Sequence, residues 1–215
     1  MNASVVIVTY RRLDRLDEVL QAWLSEVPDV WLCDCSAEGF KTELPINIIR
    51  AVPDPGNKIR HAVAMMTEGD YVFKADDDLK PLPGLANDFF RRYQGGVAGI
   101  HGRIFHGPDY YQDTSMLSSR HIHAPTQVDF LGLITFSPRE YLGMDLRGCE
   151  SSIEDLYWLN WYNAKVPKWV IPTSRFEQLP ASKDAERLCA NKQARVVRRA
   201  FYKRCWEEFY KCPAS

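Results

Sequence analysis

Residues 71–84 read YVFKADDDLKPLPG, and the reading of this stretch decides the fold. Tyr71, Val72 and Phe73 open a β-prone run, Pro81 and Pro83 close the segment, and between them stand Asp76, Asp77 and Asp78. A strand over 71–75 that turns at once into a loop puts all three carboxylates at a strand end. Solvation in the loop accounts for one or two of them but less well for a trio directly behind a buried strand. Asp76 and Asp78, at i and i+2, can both reach one hard divalent cation, and such a cation also binds phosphate oxygens. The ion then offsets the repulsion among the carboxylates.

Upstream, the chain alternates. Residues 5–9 form a continuous apolar, β-branched run, expected as a strand buried on both faces. Residues 14–25 place Leu16, Val19, Leu20, Trp23 and Leu24 on one helical stripe. Strands are expected at 30–35 and 46–51, and a helix at 58–67, turned by Glu68-Gly69-Asp70 into the strand at 71. Strand, helix, strand in this order predicts an α/β fold, a mostly parallel sheet flanked by helices with right-handed crossovers. Ligands of such sheets sit beyond the carboxyl ends of the strands. Thr9-Tyr10, Asp34 and Asp76 to Asp78 occupy those ends and are expected to converge on one crevice.

Downstream, 85–93 reads as a helix, 97–105 and 128–136 as strands, and 106–126 as a loop or small flap whose Tyr110 and Tyr111 are expected to be accessible. A helix follows at 153–163 and a short strand at 169–172. The prolines of 166–180 mark a join to a C-terminal helical tail from 182 to about 211, with Leu188, Val197, Phe201, Cys205 and Phe209 near one face. The expected division is a body over 1–180, whose halves meet near residue 100, and a tail over 181–215.

A net charge of -1 supplies no global field toward nucleic acid or membrane, and the apolar runs are too short to span a bilayer. The six cysteines match no zinc spacing, and Cys33-x-Cys35 reads as small strand residues. With no secretion signal, the expectation is a cytoplasmic protein with reduced thiols. Residues 192–204, KQARVVRRAFYKR, carry six bases and no acid. That run fits a solvated helix face, a peripheral contact with an anionic membrane surface, or a contact with a polyanionic acceptor.

VVIVTYRRLDRLDEVLQAW (5–23), VWLCDCS (30–36) and GNKIRHAVAMMTEGDYVFKADDDL (56–79), in this order and spacing, resemble the nucleotide-sugar half of GT-A glycosyltransferases, family 2 above all. The resemblance covers roughly residues 4–172 and implies a GT-A-like, Rossmann-like fold. It implies that Thr9 and Tyr10 contact the nucleoside and that Asp34, with Ser36 behind it, holds the base. It implies further that Arg60 contacts the nucleotide and that Asp78 is a metal ligand with Asp76 and Asp77 nearby. The expected cofactors are Mn²⁺ or Mg²⁺ and a nucleotide-sugar donor, a UDP-sugar being favoured. In CESSIEDLYWLNWYNAKVPKWVIP (149–172), Glu154-Asp155 match the family's acidic pair, one of which is the general base. Ser151-x-x-Glu154 reads as a capping box, which occupies Glu154. Asp155, in the first turn, has the helix dipole to keep it ionised, as a base must be.

The activity so implied is transfer of one hexosyl or pentosyl unit to an acceptor hydroxyl on a glycan, a lipid or a hydroxymethylated DNA base, with no stable partner protein. The Q-x-x-R-W motif of processive synthases is absent, and no histidine follows His123 to serve as a late metal ligand. Inversion is the expected stereochemistry, although GIHGRIF (99–105) is also similar to retaining exostosin-like enzymes. A nucleotidyltransferase and a non-catalytic nucleotide- or glycan-binding module are the rival classes.

Overall fold

The computed structural model describes residues 2–10, 12–52, 55–56, 58–143, 145, 149, 153–180 and 192–210. Its first half alternates as β1 (Ala3–Thr9), α1 (Leu16–Leu24), β2 (Asp29–Asp34), β3 (Asn47–Arg50), α2 (Ile59–Ala64) and β4 (Tyr71–Asp76). Beyond it come β5 (Leu79–Pro81), α3 (Leu85–Arg92), β6 (Val97–Phe105), β7 (Thr114–Ser118), β8 (Thr126–Gln127) and β9 (Phe130–Pro138). The last elements are α4 (Glu154–Leu156), β10 (Lys168–Val170), β11 (Phe176–Gln178) and α5 (Lys192–Cys205).

The main sheet runs β3-β2-β1-β4-β9-β6-β10-β8, with β7 beside β6. β3, β2, β1 and β4 are parallel; β9 enters antiparallel to both β4 and β6, and β10 is again parallel to β6. The alternation of side chains across a strand divides the interior in two. Val5 and Ile7 of β1 and Phe73 of β4 face the core covered by α1 and α3. Val6 and Val72 face the other, built with Leu156, Trp158, Phe201 and Tyr202. The expected α1 stripe is the buried one: Leu16, Val19, Leu20 and Trp23.

Several expectations are corrected. The segment 106–126 is no flap, since β7 pairs residue by residue with the end of β6, from His101 opposite Ser118 to Phe105 opposite Thr114. Tyr110 is therefore 3% exposed and packed against Phe105 and Phe130. The strand expected at 128–136 runs from Phe130 to Pro138, and just before it the Asp129 N–H donates to the Arg103 carbonyl while its carboxylate accepts from the Phe105 N–H at 2.8 Å. The helix expected at 153–163 has one α turn and then widens into π-helical turns over Tyr157–Tyr162. Among the described residues no helix is long and apolar enough to cross a membrane. Leu188 lies outside the described residues, while Phe201 and Cys205 are buried as the helical stripe requires.

Candidate active site

Register brings the three strand ends together. Thr9 lies opposite Asp34 across β1 and β2, and Val8 lies opposite Asp76 across β1 and β4. Each aspartate of the trio has a cation or a hydroxyl against it. Arg60 of α2 donates to Asp76 Oδ1 through both terminal nitrogens, at 3.3 and 3.4 Å. Asp77 accepts from the Thr9 hydroxyl at 2.8 Å and pairs with Arg12 at 3.1 Å, and Arg12 reaches Asp78 at 2.7 Å. Burial pushes the Asp77 carboxyl up to about 6 against the pull of Arg12 and Thr9. Burial raises Asp76 likewise, with Arg60 working the other way. Arginines thus do much of the neutralising that the sequence reading gave to a metal alone.

Asp34 is 1% exposed and holds its own loop. One oxygen accepts from the Ser36 N–H at 3.0 Å and the Ser36 hydroxyl at 2.5 Å, the other from the Phe40 N–H at 2.7 Å. Burial raises its pKa, but these donors outweigh it and hold the carboxyl below its ordinary value. Asp34 thereby shapes the turn after β2, next to Thr9. Tyr10 stands out at the mouth of this edge, largely exposed.

On the acceptor side the acidic pair splits. Ser151, and with it the expected capping box, lies outside the described residues, among which Ile153 stands at the helix start with no side-chain cap. The Glu154 side chain runs inward to a hydrogen bond with His61 Nε2 and lies 3.7 Å from Lys74 Nζ. Lys74 sits 3.1 Å above the Trp158 ring. Burial works to raise Glu154, but His61, Arg60 and Lys74 outweigh it and keep the carboxylate well below the usual range. Asp155 points elsewhere, and its side chain is 34% exposed. Arg198 of α5 grips it with two bonds, at 2.8 and 2.9 Å. Burial works to lower Arg60, but the charges of Glu154, Asp76 and Asp155 outweigh it and raise its pKa.

Arg60 and Asp76 are thus brought together, with Thr9, Asp77 and Asp78 beside them, while Asp34 holds its own loop, Glu154 turns inward and Asp155 is held by Arg198. Arg12, His61, Lys74 and Arg198 were missed. Lys74 gave a signal, being a lysine in an otherwise apolar strand; Arg198 gave none, one of six bases in a run. Among the described residues, no three His, Cys, Asp or Glu side chains gather closely enough to cage an ion. That donor set fits a cation of the Mg²⁺ kind, which needs one or two carboxylates and takes its other ligands from water and substrate phosphate. Both Arg60 bonds fall on Asp76 Oδ1, and the Asp76 side chain is 37% exposed, so it remains reachable.

Neither a protein-family model nor a curated protein sequence matches the chain. Solved structures do. S. aureus TarS 1-349 in complex with UDP-GlcNAc matches with a TM-score of 0.61 at 15% identity, over 97% of this chain and 71% of that one. TarS 1-349 matches with 0.56 at 16% identity, over 82% and 59%. A further structure of TarS matches with 0.54 at 16%, over 85% of this chain but 37% of the other. At such identities the likeness speaks for the course of the backbone, and the chain has the GT-A-type α/β fold that it shares with TarS.

Proposed function

We propose that the chain is a nucleotide-sugar-dependent glycosyltransferase that moves one sugar to an acceptor hydroxyl, with inversion. The observation that carries the reading is the pairing of Arg60 with Asp76 at the carboxyl edge of a GT-A-type sheet, beside Thr9, Asp77 and Asp78. The complex of TarS with UDP-GlcNAc supports a UDP-sugar as donor. Thr9, Tyr10 and the turn held by Asp34 flank the nucleoside, and Arg60 faces the phosphates. Asp78 and Asp76 would hold Mn²⁺ or Mg²⁺, which supplies positive charge for a departing nucleoside diphosphate. Asp155 takes the proton of the acceptor hydroxyl as that oxygen attacks the anomeric carbon from the face opposite the leaving group.

The test is calorimetry with UDP-GlcNAc and Mn²⁺, joined to an assay for free GlcNAc. We expect cation-dependent binding that Asp78→Asn abolishes. Asp155→Asn should keep donor binding and lose about 10²- to 10⁴-fold in turnover, the range of a general base. Equal affinity of the Asp78→Asn chain with and without Mn²⁺ would remove the metal from the reading. Release of pyrophosphate from a nucleoside triphosphate would make the chain a nucleotidyltransferase instead.

A further inference from the structure

Arg198 belongs to the basic run of α5, yet it turns inward and is 8% exposed. Nη1 donates to Asp155 Oδ1 at 2.8 Å, and Nη2 donates to Asp155 Oδ2 at 2.9 Å and to the Tyr110 hydroxyl at 3.0 Å. The guanidinium lies 5.1 Å from the Tyr110 ring, which is itself buried. A planar fork on both oxygens of a carboxylate sets its plane as well as its place. The Leu156 N–H adds a bond to Oδ1 at 2.9 Å. Among the described residues Oδ1 thus accepts two hydrogen bonds and Oδ2 one. Each carboxylate oxygen offers two lone pairs, so among the described residues the open site is on Oδ2.

We propose that Arg198 is the positioning residue of Asp155, which holds the carboxylate in one orientation and leaves Oδ2 as the atom that accepts the acceptor's proton. The inference rests on the reading of Asp155 as the base. In the step, the acceptor O–H proton passes to Oδ2, and the oxygen's electron pair forms the bond to the anomeric carbon. The bond from that carbon to the nucleotide oxygen breaks with its electrons on the leaving diphosphate, and Asp155 ends as the acid. An opposite charge makes any carboxylate a weaker base, so Arg198 helps through placement alone. A third of the Asp155 side chain stays exposed, which leaves it within reach of an acceptor.

The test uses the full chain with UDP-GlcNAc, Mn²⁺ and water as acceptor, in the variants Arg198→Gln, Arg198→Lys and Asp155→Asn. Misplacement of a reacting group costs up to about 100-fold, so Arg198→Gln should lower kcat by about 10- to 100-fold with the donor KM unchanged. Arg198→Lys should recover part of the loss, because it restores the charge but not the fork. A higher kcat in Arg198→Gln, or a raised KM with kcat unchanged, overturns the proposal. Failure of the underlying reading looks different: Asp155→Asn then matches the parent chain, or the parent chain releases no GlcNAc. Crystal structures of the parent and of Arg198→Gln judge placement without activity. Asp155 spread over several rotamers in the variant supports the proposal, and the same single rotamer in both overturns it.

Discussion

Lys74 is 3% exposed in the middle of β4, and a lysine is almost never buried unless paired. Its partners come from far along the chain, Glu154 at 3.7 Å and the face of Trp158, with His61 between. His61 Nε2 faces both the Glu154 carboxylate and, at 3.2 Å, Lys74 Nζ, and among the described residues Nδ1 has no hydrogen-bond partner. Burial, helped by Lys74, lowers His61 from 6.5 to about 4. The native ring stays neutral where the unfolded one takes a proton, so stability is lost as pH falls from 6.5 to about 4. Glu154, held below its ordinary 4.5, loses its contribution in the same direction below that pH. Burial lowers Lys74 from 10.5 to about 7, and on this group alone stability rises with pH between those values. On His61 alone the thermal midpoint should fall from pH 6.5 to 4, while Asp77, raised to about 6, works the other way as pH falls below 6; the His61 part is read as the difference in slope between the parent chain and His61→Gln, and equal slopes in both would show that His61 is not the titrating group. Glu154→Gln should lower stability, read as the denaturant midpoint, because removing one partner of a buried ion pair costs about 3–5 kcal/mol.

At the scale of elements, α3 shows how local rules and distant partners divide the work. Its first turn has no side-chain cap of its own and follows Gly84 at φ 88°, a left-handed conformation that glycine adopts without strain. The cap comes from Glu26, beyond the end of α1, whose two oxygens accept from the Gly84 and Ala86 N–H groups at 2.7 and 2.8 Å. Lost caps cost about 0.5–2 kcal/mol. Glu26→Ala should destabilise the chain by that amount and Glu26→Gln by less, as read by urea unfolding; an unchanged midpoint in Glu26→Ala would leave α3 capped by other means. The helix was legible at 85–93 from its apolar spacing, whereas its cap was not, because it is a tertiary contact. The same division holds across the sheet. β1, β2 and β4 were legible because buried parallel strands are largely apolar runs between helical stripes, and β3, exposed at the sheet edge, from its Ile48-Ile49 pair. β7 was not, because the order T-S-M-L-S carries little pattern and its pairing with β6 supplies what the residues lack. The aspartate edge was read correctly as a point of convergence. Arg12 was not foreseen there, nor the pairing of Arg60 with Asp76, nor the diversion of Glu154 into the interior.

At the scale of the molecule, the C-terminal helix belongs to the second core. Phe201, Tyr202 and Cys205 are buried with Trp158, Leu159 and Val170 of the body. The Tyr202 ring lies 4.4 Å from that of Phe105 and 5.6 Å from that of Tyr110, and its hydroxyl donates to the Gly107 carbonyl at 3.0 Å. A basic run with spaced aromatics reads equally well as a solvated or membrane-facing helix, and only the surface that receives Phe201 and Tyr202 decides which side is covered. Five of its six bases do remain on the outer side, while Arg198 alone is buried. Full burial of each large apolar side chain contributes about 1.5–3 kcal/mol, and whole domains are stable by only about 5–15 kcal/mol. Removing everything after residue 180 should therefore cost several kcal/mol and expose the aromatic surface of β6 and the π-helical turns. The shortened chain should bind a hydrophobic dye and lose its sharp calorimetric transition. Tyr202→Ala in the full chain should lower stability by about 3–5 kcal/mol, as buried aromatic truncations do, and more than Lys203→Ala beside it on the exposed side. If the chain ending at residue 180 unfolds cooperatively at the full-length midpoint, α5 contributes no core, and the grip of Arg198 on Asp155 would be a surface contact rather than part of the packed body.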